Sequence, residues 1–250
     1  MGRLRNRGSV WTSNITSRYF TNQMYSYLFS PYSCASCLSR STALITNCAI
    51  TYATYKAVAG KAVTSVLFMA LASYLSFSPV LLLPPLIILS FDRTLGAGKG
   101  QPSMVRFSSQ HCGVFFISIA CFLFESFLIC GNSWDFIGST YGVHLQLPDL
   151  TPNVGLWWYF FIEMFDSFRD FFLGVFWLHL GGYTSGLCIR LRSQPLFVIT
   201  TMLGLCAIFK PYPSISDVSL YFAFLPLYRH LFPCDSPYFL RLGVIVLIRA

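Results

Sequence analysis

Between Arg106 and Gly131 the chain reads FSSQHCGVFFISIACFLFESFLIC, 24 residues interrupted by a single charge, Glu125. A second stretch, Phe171 to Ile189, holds nineteen residues without an Asp, Glu, Lys or Arg. A helix rises about 1.5 Å per residue, so roughly 20 apolar residues cross the ~30 Å hydrocarbon layer of a bilayer. The whole chain has the same character: of 250 residues 55% are hydrophobic and only 10% charged, with a mean hydropathy of +0.60. That is more apolar surface than one soluble core of this size buries. In lipid every backbone N–H and C=O must be satisfied within the protein, which leaves helices or closed barrels. The runs lack the period-two alternation of barrel strands. The sequence therefore predicts an all-α fold, a polytopic transmembrane helix bundle.

Charge orients that bundle. The formal net charge is +8, but the basic residues are scattered between apolar runs, with no RNA-binding motif, so nucleic acid is not an expected partner. They fit cytosolic loops instead. Three basic residues in DRTLGAGKGQPSMVR place residues 92–106 in the cytosol, the span beginning at Phe107 leads outward, and residues 131–156 lie on the far side. Arg190 and Arg192 mark the return, and Ser193 to Phe209 crosses outward again as far as KPYPS, where two prolines stop the helix. Residues 62–91 are uncharged, yet Ser78-Pro79 and Pro84-Pro85 interrupt them and Lys56, Lys61 and Arg93 put both ends in the cytosol. The sequence predicts a pair of short helices folded back at Pro79 and buried within the bundle. A short span, Ser41 to Tyr55, precedes them.

Metal and nucleophile chemistry find little support. Most cysteines sit in apolar runs, where a thiol behaves as a small hydrophobe, and Cys34 with Cys37 forms a lone CxxC without a second pair at zinc spacing. Each histidine is expected as an interfacial or bundle-facing imidazole with one hydrogen bond. No HExxH, GxSxG or P-loop occurs; GAGKG at 96–100 lacks the Walker spacing. No metal and no cofactor is predicted. The first 24 residues form a basic, acid-free tail without the apolar core of a signal peptide.

The scarce acids concentrate among aromatic rings in DLTPNVGLWWYFFIEMFDSFRDFF, residues 149–172. Thr151 or Asn153 is placed to cap a helix starting near Gly155. Continued to residue 170, that helix sets Glu163, Asp166, Ser167 and Asp170 on one face, with rings over much of the rest. Trp157 and Trp158 are expected at headgroup depth. The segment reads as an amphipathic approach to the next span, with carboxylates facing water or a partner. Asp166 and Asp170 repel one another on such a helix, and Arg169 relieves only part of this.

Several longer stretches resemble one family. They are SPYS at 30–33, SRST at 39–42, ALASYLSFSPVLLLPP at 70–85, SWDFIGSTYG at 133–142, PDLTPNVGLWWYFFIEMFDSF at 148–168 and IFKPYPSISDVSLYFAFLPLYRHLF at 208–232. Together they are similar to phosphatidylinositol glycan class U, a subunit of the glycosylphosphatidylinositol (GPI) transamidase. The resemblance implies a multi-pass protein of the endoplasmic reticulum membrane that is itself non-catalytic. Its implied partners are the other transamidase subunits, the GPI lipid and the membrane. It divides the chain into the basic tail 1–24, a partial membrane domain 25–232 and a divergent end 233–250, and suggests a product shortened at both ends. The candidates for contact with GPI or a partner are Asp135, Asp149, Asn153, Trp157, Trp158, Glu163, Asp166 and Asp170.

Two alternatives remain at this stage. The layout is also similar to that of polytopic lipid-linked-sugar mannosyltransferases, but their chemistry needs a carboxylate on the first luminal loop, and no Asp or Glu occurs before Asp92. A transporter would use the broken helix around Pro79 and the intramembrane Glu125, and would be supported by inverted repeats, which the sequence does not show.

Overall fold

The uncharged stretch from Ala62 to Phe91 is folded back on itself. In the computed structural model, which describes Tyr27 and residues 30–96, 103–148 and 151–231, the helix α3 (Ala62–Leu75) ends at an extended Ser76. A 3-10 turn, Ser78–Leu82, then reverses the chain into α4 (Leu83–Gly96). Only one of the two predicted interruptions materialises. Pro84 and Pro85 lie in the first turn of α4, where a missing N–H costs no helical bond. The burial prediction holds: Val66, Met69 and Ala70 of α3 and Leu86 of α4 are fully enclosed.

Around this hairpin the remaining elements are helical, with no strand among the described residues. The SPYSCASCLSRST stretch supplies α1 (Pro31–Leu38), and the predicted short span becomes α2 (Ala43–Val58). α2 and α3 form a tight helical pair, with Ala53 and Ala57 buried in it and the Ser65 hydroxyl donating to the Ala53 carbonyl at 2.7 Å. Small side chains permit that close approach, and a hydrogen bond then fixes the register. α5 (Met104–Ile129) and α7 (Asp166–Arg190) pack on the outside, joined by a helical segment at 135–146 and by α6 (Leu156–Ile162). α8 (Pro195–Phe209) and α9 (Ile215–Phe224) flank the KPYPS stretch, and a Cβ at Gly204 would lie 2.9 Å from the Tyr221 ring, so this helix crossing requires glycine.

Among the described residues three helical stretches, Ser78–Leu95, Met104–Ile129 and Asp166–Arg190, are long and apolar enough to cross a membrane. Half of the residues in the first are buried within the protein, against few in α5 and α7. α8, expected to lead outward, is a shorter apolar helix whose 15 residues extend about 22 Å.

Several of the basic residues gather at one end. The Gly60 turn, between Lys56 and Lys61, lies against the Arg93 carbonyl, and Arg192 reaches both Asp92 and Met104. By the charge bias, this is the end expected on the cytosolic side. A glycosylation acceptor inserted after Asn132 is accordingly expected to be modified, and one after Arg192 left bare. A gel-shift assay that reversed the two would invert the bundle. Lys99, Asp149, the tail 1–24 and the end 233–250 lie outside the described residues.

Candidate functional site

At the end of the bundle opposite those cations, two of the longer sequence stretches meet. The first begins at SWDFIGSTYG, where the Ser133 hydroxyl donates to Asp135 at 2.6 Å and residues 135–146 wind through a π-helical turn, Gly138–Gly142. Three bonds hold this segment down. Tyr141 donates its hydroxyl to the Tyr74 carbonyl, Trp177 its indole N–H to the Leu145 carbonyl, and Arg169 its guanidinium to the Leu147 carbonyl. Burial, and secondarily the neighbouring Tyr74 phenol, pushes the Tyr141 pKa up to about 12. Its hydroxyl therefore remains a proton donor throughout the physiological range.

The chain then turns through TPNVG. The Asn153 side-chain oxygen accepts the Gly155 N–H at 2.7 Å, an Asx turn. Gly155, rather than Thr151 or Asn153, occupies the N-cap of α6, and no side chain caps that helix. A Cβ at Gly155 would sit 2.8 Å from the Pro213 ring and 3.2 Å from the Pro211 carbonyl. Here the chain can pass KPYPS only as bare backbone.

Immediately after this contact Trp157 is driven inward. It is 0% exposed and packs with Leu147 and Phe161, against Phe160, Phe176, Trp177 and Tyr212. Rings of Phe176 and Trp177 stand edge-on to it at 5.0 and 5.3 Å. The predicted interfacial position of Trp157 is therefore corrected: it is a core wedge joining the 135–162 region to α7 and KPYPS. Trp158 is half-buried.

The predicted continuous helix over 156–170 is corrected too. α6 stops at Ile162, Phe165 is extended, and α7 starts afresh at Asp166. The break lets the rings of α6 fold back onto α7, which one straight helix would prevent. Glu163 consequently lies in the linker and shares no helical face with Asp166 and Asp170. Those two acids occupy the first turns of α7, where the positive end of the helix dipole offsets their mutual repulsion. Glu163, Asp166 and Asp170 are exposed and make no ion pair among the described residues. Arg169, expected to relieve the acid pair, is directed to the Leu147 carbonyl.

Beneath the wedge lies a feature that the sequence reading missed. Lys210 Nζ sits 3.0 Å from Asp217 Oδ2, with side chains only 13% and 17% exposed. The same carboxylate accepts the Ser214 N–H at 3.0 Å and the Ser214 hydroxyl at 2.8 Å, closing the N-terminus of α9 in a capping box. The signal was present in the SISD spacing, since Ser followed three residues later by an acid is a helix-start pattern. Lys210 and Asp217 border a cavity of about 30 Å³ with Asn47, Ser78 and Pro79. This volume suits one or two waters but excludes a sugar. Nearby, Asn47 donates to the Ser216 carbonyl at 2.9 Å, and the Ser33 and Ser219 hydroxyls pair at 2.9 Å, tying α1 and α2 to α9.

The histidines follow their expectation in α5: His111 is buried, stacks on Phe107 at 4.0 Å and bonds the Phe107 carbonyl at 2.8 Å. The architecture at this end is thus a rigid, polar-sealed platform carrying exposed carboxylates.

Comparison with known proteins gives the platform a context. The family described as GPI transamidase subunit PIG-U matches residues 13–249. The chain is 39% identical over 207 residues to the human GPI-anchor transamidase component PIGU, covering 82% of this chain and 47% of that protein. The mouse protein of the same name is 38% identical, over 86% of this chain and 50% of its own length. The GPI transamidase component GAB1 of Saccharomyces cerevisiae is 35% identical, over 82% and 50%. The chain thus spans about half the length of the curated relatives it matches.

Proposed function

The chain belongs to the GPI transamidase subunit PIG-U family, and on that premise we propose that it is a non-catalytic, multi-pass subunit of the GPI transamidase in the endoplasmic reticulum membrane. Its role is to help place the GPI lipid and glycan, or the protein substrate, and to hold the complex together. The observation that carries this reading is the convergence of residues 148–168 and 208–232. Both were singled out from the sequence, and they lock into one platform through Gly155, Trp157 and Tyr212.

The platform's internal ionic groups serve the fold. Asp217 is taken up by Lys210 and Ser214, while Asp135, itself exposed, accepts the Ser133 hydroxyl. The exposed carboxylates Glu163, Asp166 and Asp170 remain for a cationic group. The primary amines of the GPI glycan are one such group, and basic side chains of neighbouring subunits are another. Charge-assisted contacts of this kind are about twice as strong as neutral ones.

Replacing Asp166 and Asp170 together by Asn preserves size and polarity and removes both charges. In cells lacking the endogenous subunit, and in a full-length context, surface display of a GPI-anchored reporter is expected to fall about tenfold or more, the scale of one lost charge-assisted hydrogen bond. Unchanged display at matched protein level would reduce the two acids to dipole-compensating residues of α7. Co-purification with the other transamidase subunits tests membership of the complex directly. Absence from it, combined with measurable glycosyl transfer, would favour the mannosyltransferase-like alternative.

A further inference from the structure

At the opposite, cation-rich end, α4 and α8 diverge around a cavity of about 470 Å³. Sites for small molecules commonly span ~300–1,000 Å³. Leu89 and Arg93 of α4 form one wall, Gln194, Leu196 and Phe197 at the start of α8 form another, and Tyr228 closes a third side. The lining is amphipathic: aliphatic and aromatic surface stands beside a guanidinium, an amide and a phenol.

The electrostatics select the sign of a ligand. Asp92 also borders the cavity, but Arg192 grips both its oxygens, with N···O distances of 3.0 to 3.3 Å. That pair cancels. Arg93 is half-buried and has no ion-pair partner among the described residues. The cavity therefore carries one uncompensated positive charge, and partial removal of a guanidinium from water favours an anion that restores its hydrogen bonds. α8 begins in the same wall, with Pro195 in its first turn and no side-chain cap, adding the positive end of a helix dipole.

We propose that this cavity holds the phosphate of an anionic glycerophospholipid from the cytosolic leaflet. Arg93 takes the phosphate oxygens in its planar fork, and Leu89, Leu196 and Phe197 cover the glycerol and the first acyl carbons. Free phosphate shares the polar half of this recognition but gains nothing from the apolar wall. The nearby cations Lys56, Lys61, Arg106 and Arg190 raise the local concentration of acidic lipid at this end.

The test uses the whole purified chain in neutral detergent micelles, with lipid retention read by native mass spectrometry and stability by thermal melting. The probes are phosphatidylglycerol, diacylglycerol, which shares its chains but lacks the phosphate, and inorganic phosphate. Phosphatidylglycerol is expected to be retained at least about tenfold more strongly than diacylglycerol, and Arg93→Gln to remove most of that preference, as loss of a charge-assisted hydrogen bond does. Arg93→Lys, which keeps the charge without the fork, falls between. An Arg93→Gln protein that retains the full preference would overturn the proposal. Equal stabilisation by inorganic phosphate would assign the cavity to a soluble anion and overturn the lipid source. If Arg93→Gln does not survive purification, the unmodified protein decides alone, since equal retention of the two lipids refutes the site.

Discussion

Replacing Trp157 by Ala is expected to destabilise the chain by about 3–5 kcal/mol, the range for deleting a large aromatic side chain from a closed core. The indole is 0% exposed and lies among rings from α6, α7 and KPYPS, so no single element is able to collapse into the space it leaves. Tyr159, two residues away and 69% exposed, supplies the control: Tyr159→Ala is expected to change stability by no more than about 0.5 kcal/mol. Trp157→Phe separates size from polarity. The Trp157 indole N–H is buried without a hydrogen-bond partner among the described residues, so Phe gives up volume but also sheds an unsatisfied donor, and its cost should fall well below that of Ala. Thermal melts of the three variants in detergent, with proteolytic nicking near the exposed Val154 as a local readout, would measure these differences. Equal losses for Trp157→Ala and Tyr159→Ala would return Trp157 to the membrane interface.

The same residue shows what a sequence conveys and what it withholds. Composition and apolar run length determined the helical class and located α5 and α7 to within a few residues, because lipid leaves the backbone few alternatives. The proline signals placed the α3–α4 reversal, and the loop charges placed the ends. The fate of Trp157 was not legible, since an aromatic ring beside a span suits the headgroup region and a protein core equally well. The decision came from Gly155, whose close pass by Pro211 and Pro213 brings Trp157, two residues on, into the packed cluster with Tyr212. Such a contact between residues more than fifty positions apart leaves no periodicity to read. The break between α6 and α7 was missed for a related reason. A local pattern of rings and acids is compatible with one helix, and the packing of Phe160 and Phe161 on Phe176 is what breaks it. Asp166 and Asp170 were correctly paired at helical spacing, while Glu163 was placed on their face by a continuity that the chain does not have.

The second large effect lies in the ion pair beneath the wedge. Lys210→Met is expected to cost about 3 kcal/mol, the lower end of the range for removing one partner of a buried pair, because Asp217 keeps its two bonds from Ser214. Asp217→Ala should cost at least as much, since it strands Lys210 and also opens the capping box of α9, itself worth about 1 kcal/mol. The double replacement Lys210→Met with Asp217→Asn leaves neither charge unpaired and keeps an acceptor for Ser214, so it should recover a substantial part of the loss. Equal melting temperatures for Lys210→Met and the unmodified chain would show a pair too well solvated to matter. The ion pair also fixes the direction in which KPYPS leaves α8, and KPYPS is the surface on which Gly155 rests. Damage to either should therefore reach the other. Lys210→Met combined with Trp157→Ala is expected to depart from additivity by about 0.5–3 kcal/mol, as residues sharing one packed unit do. Strict additivity would mean that the two segments touch without supporting one another, and that the platform is two structures rather than one.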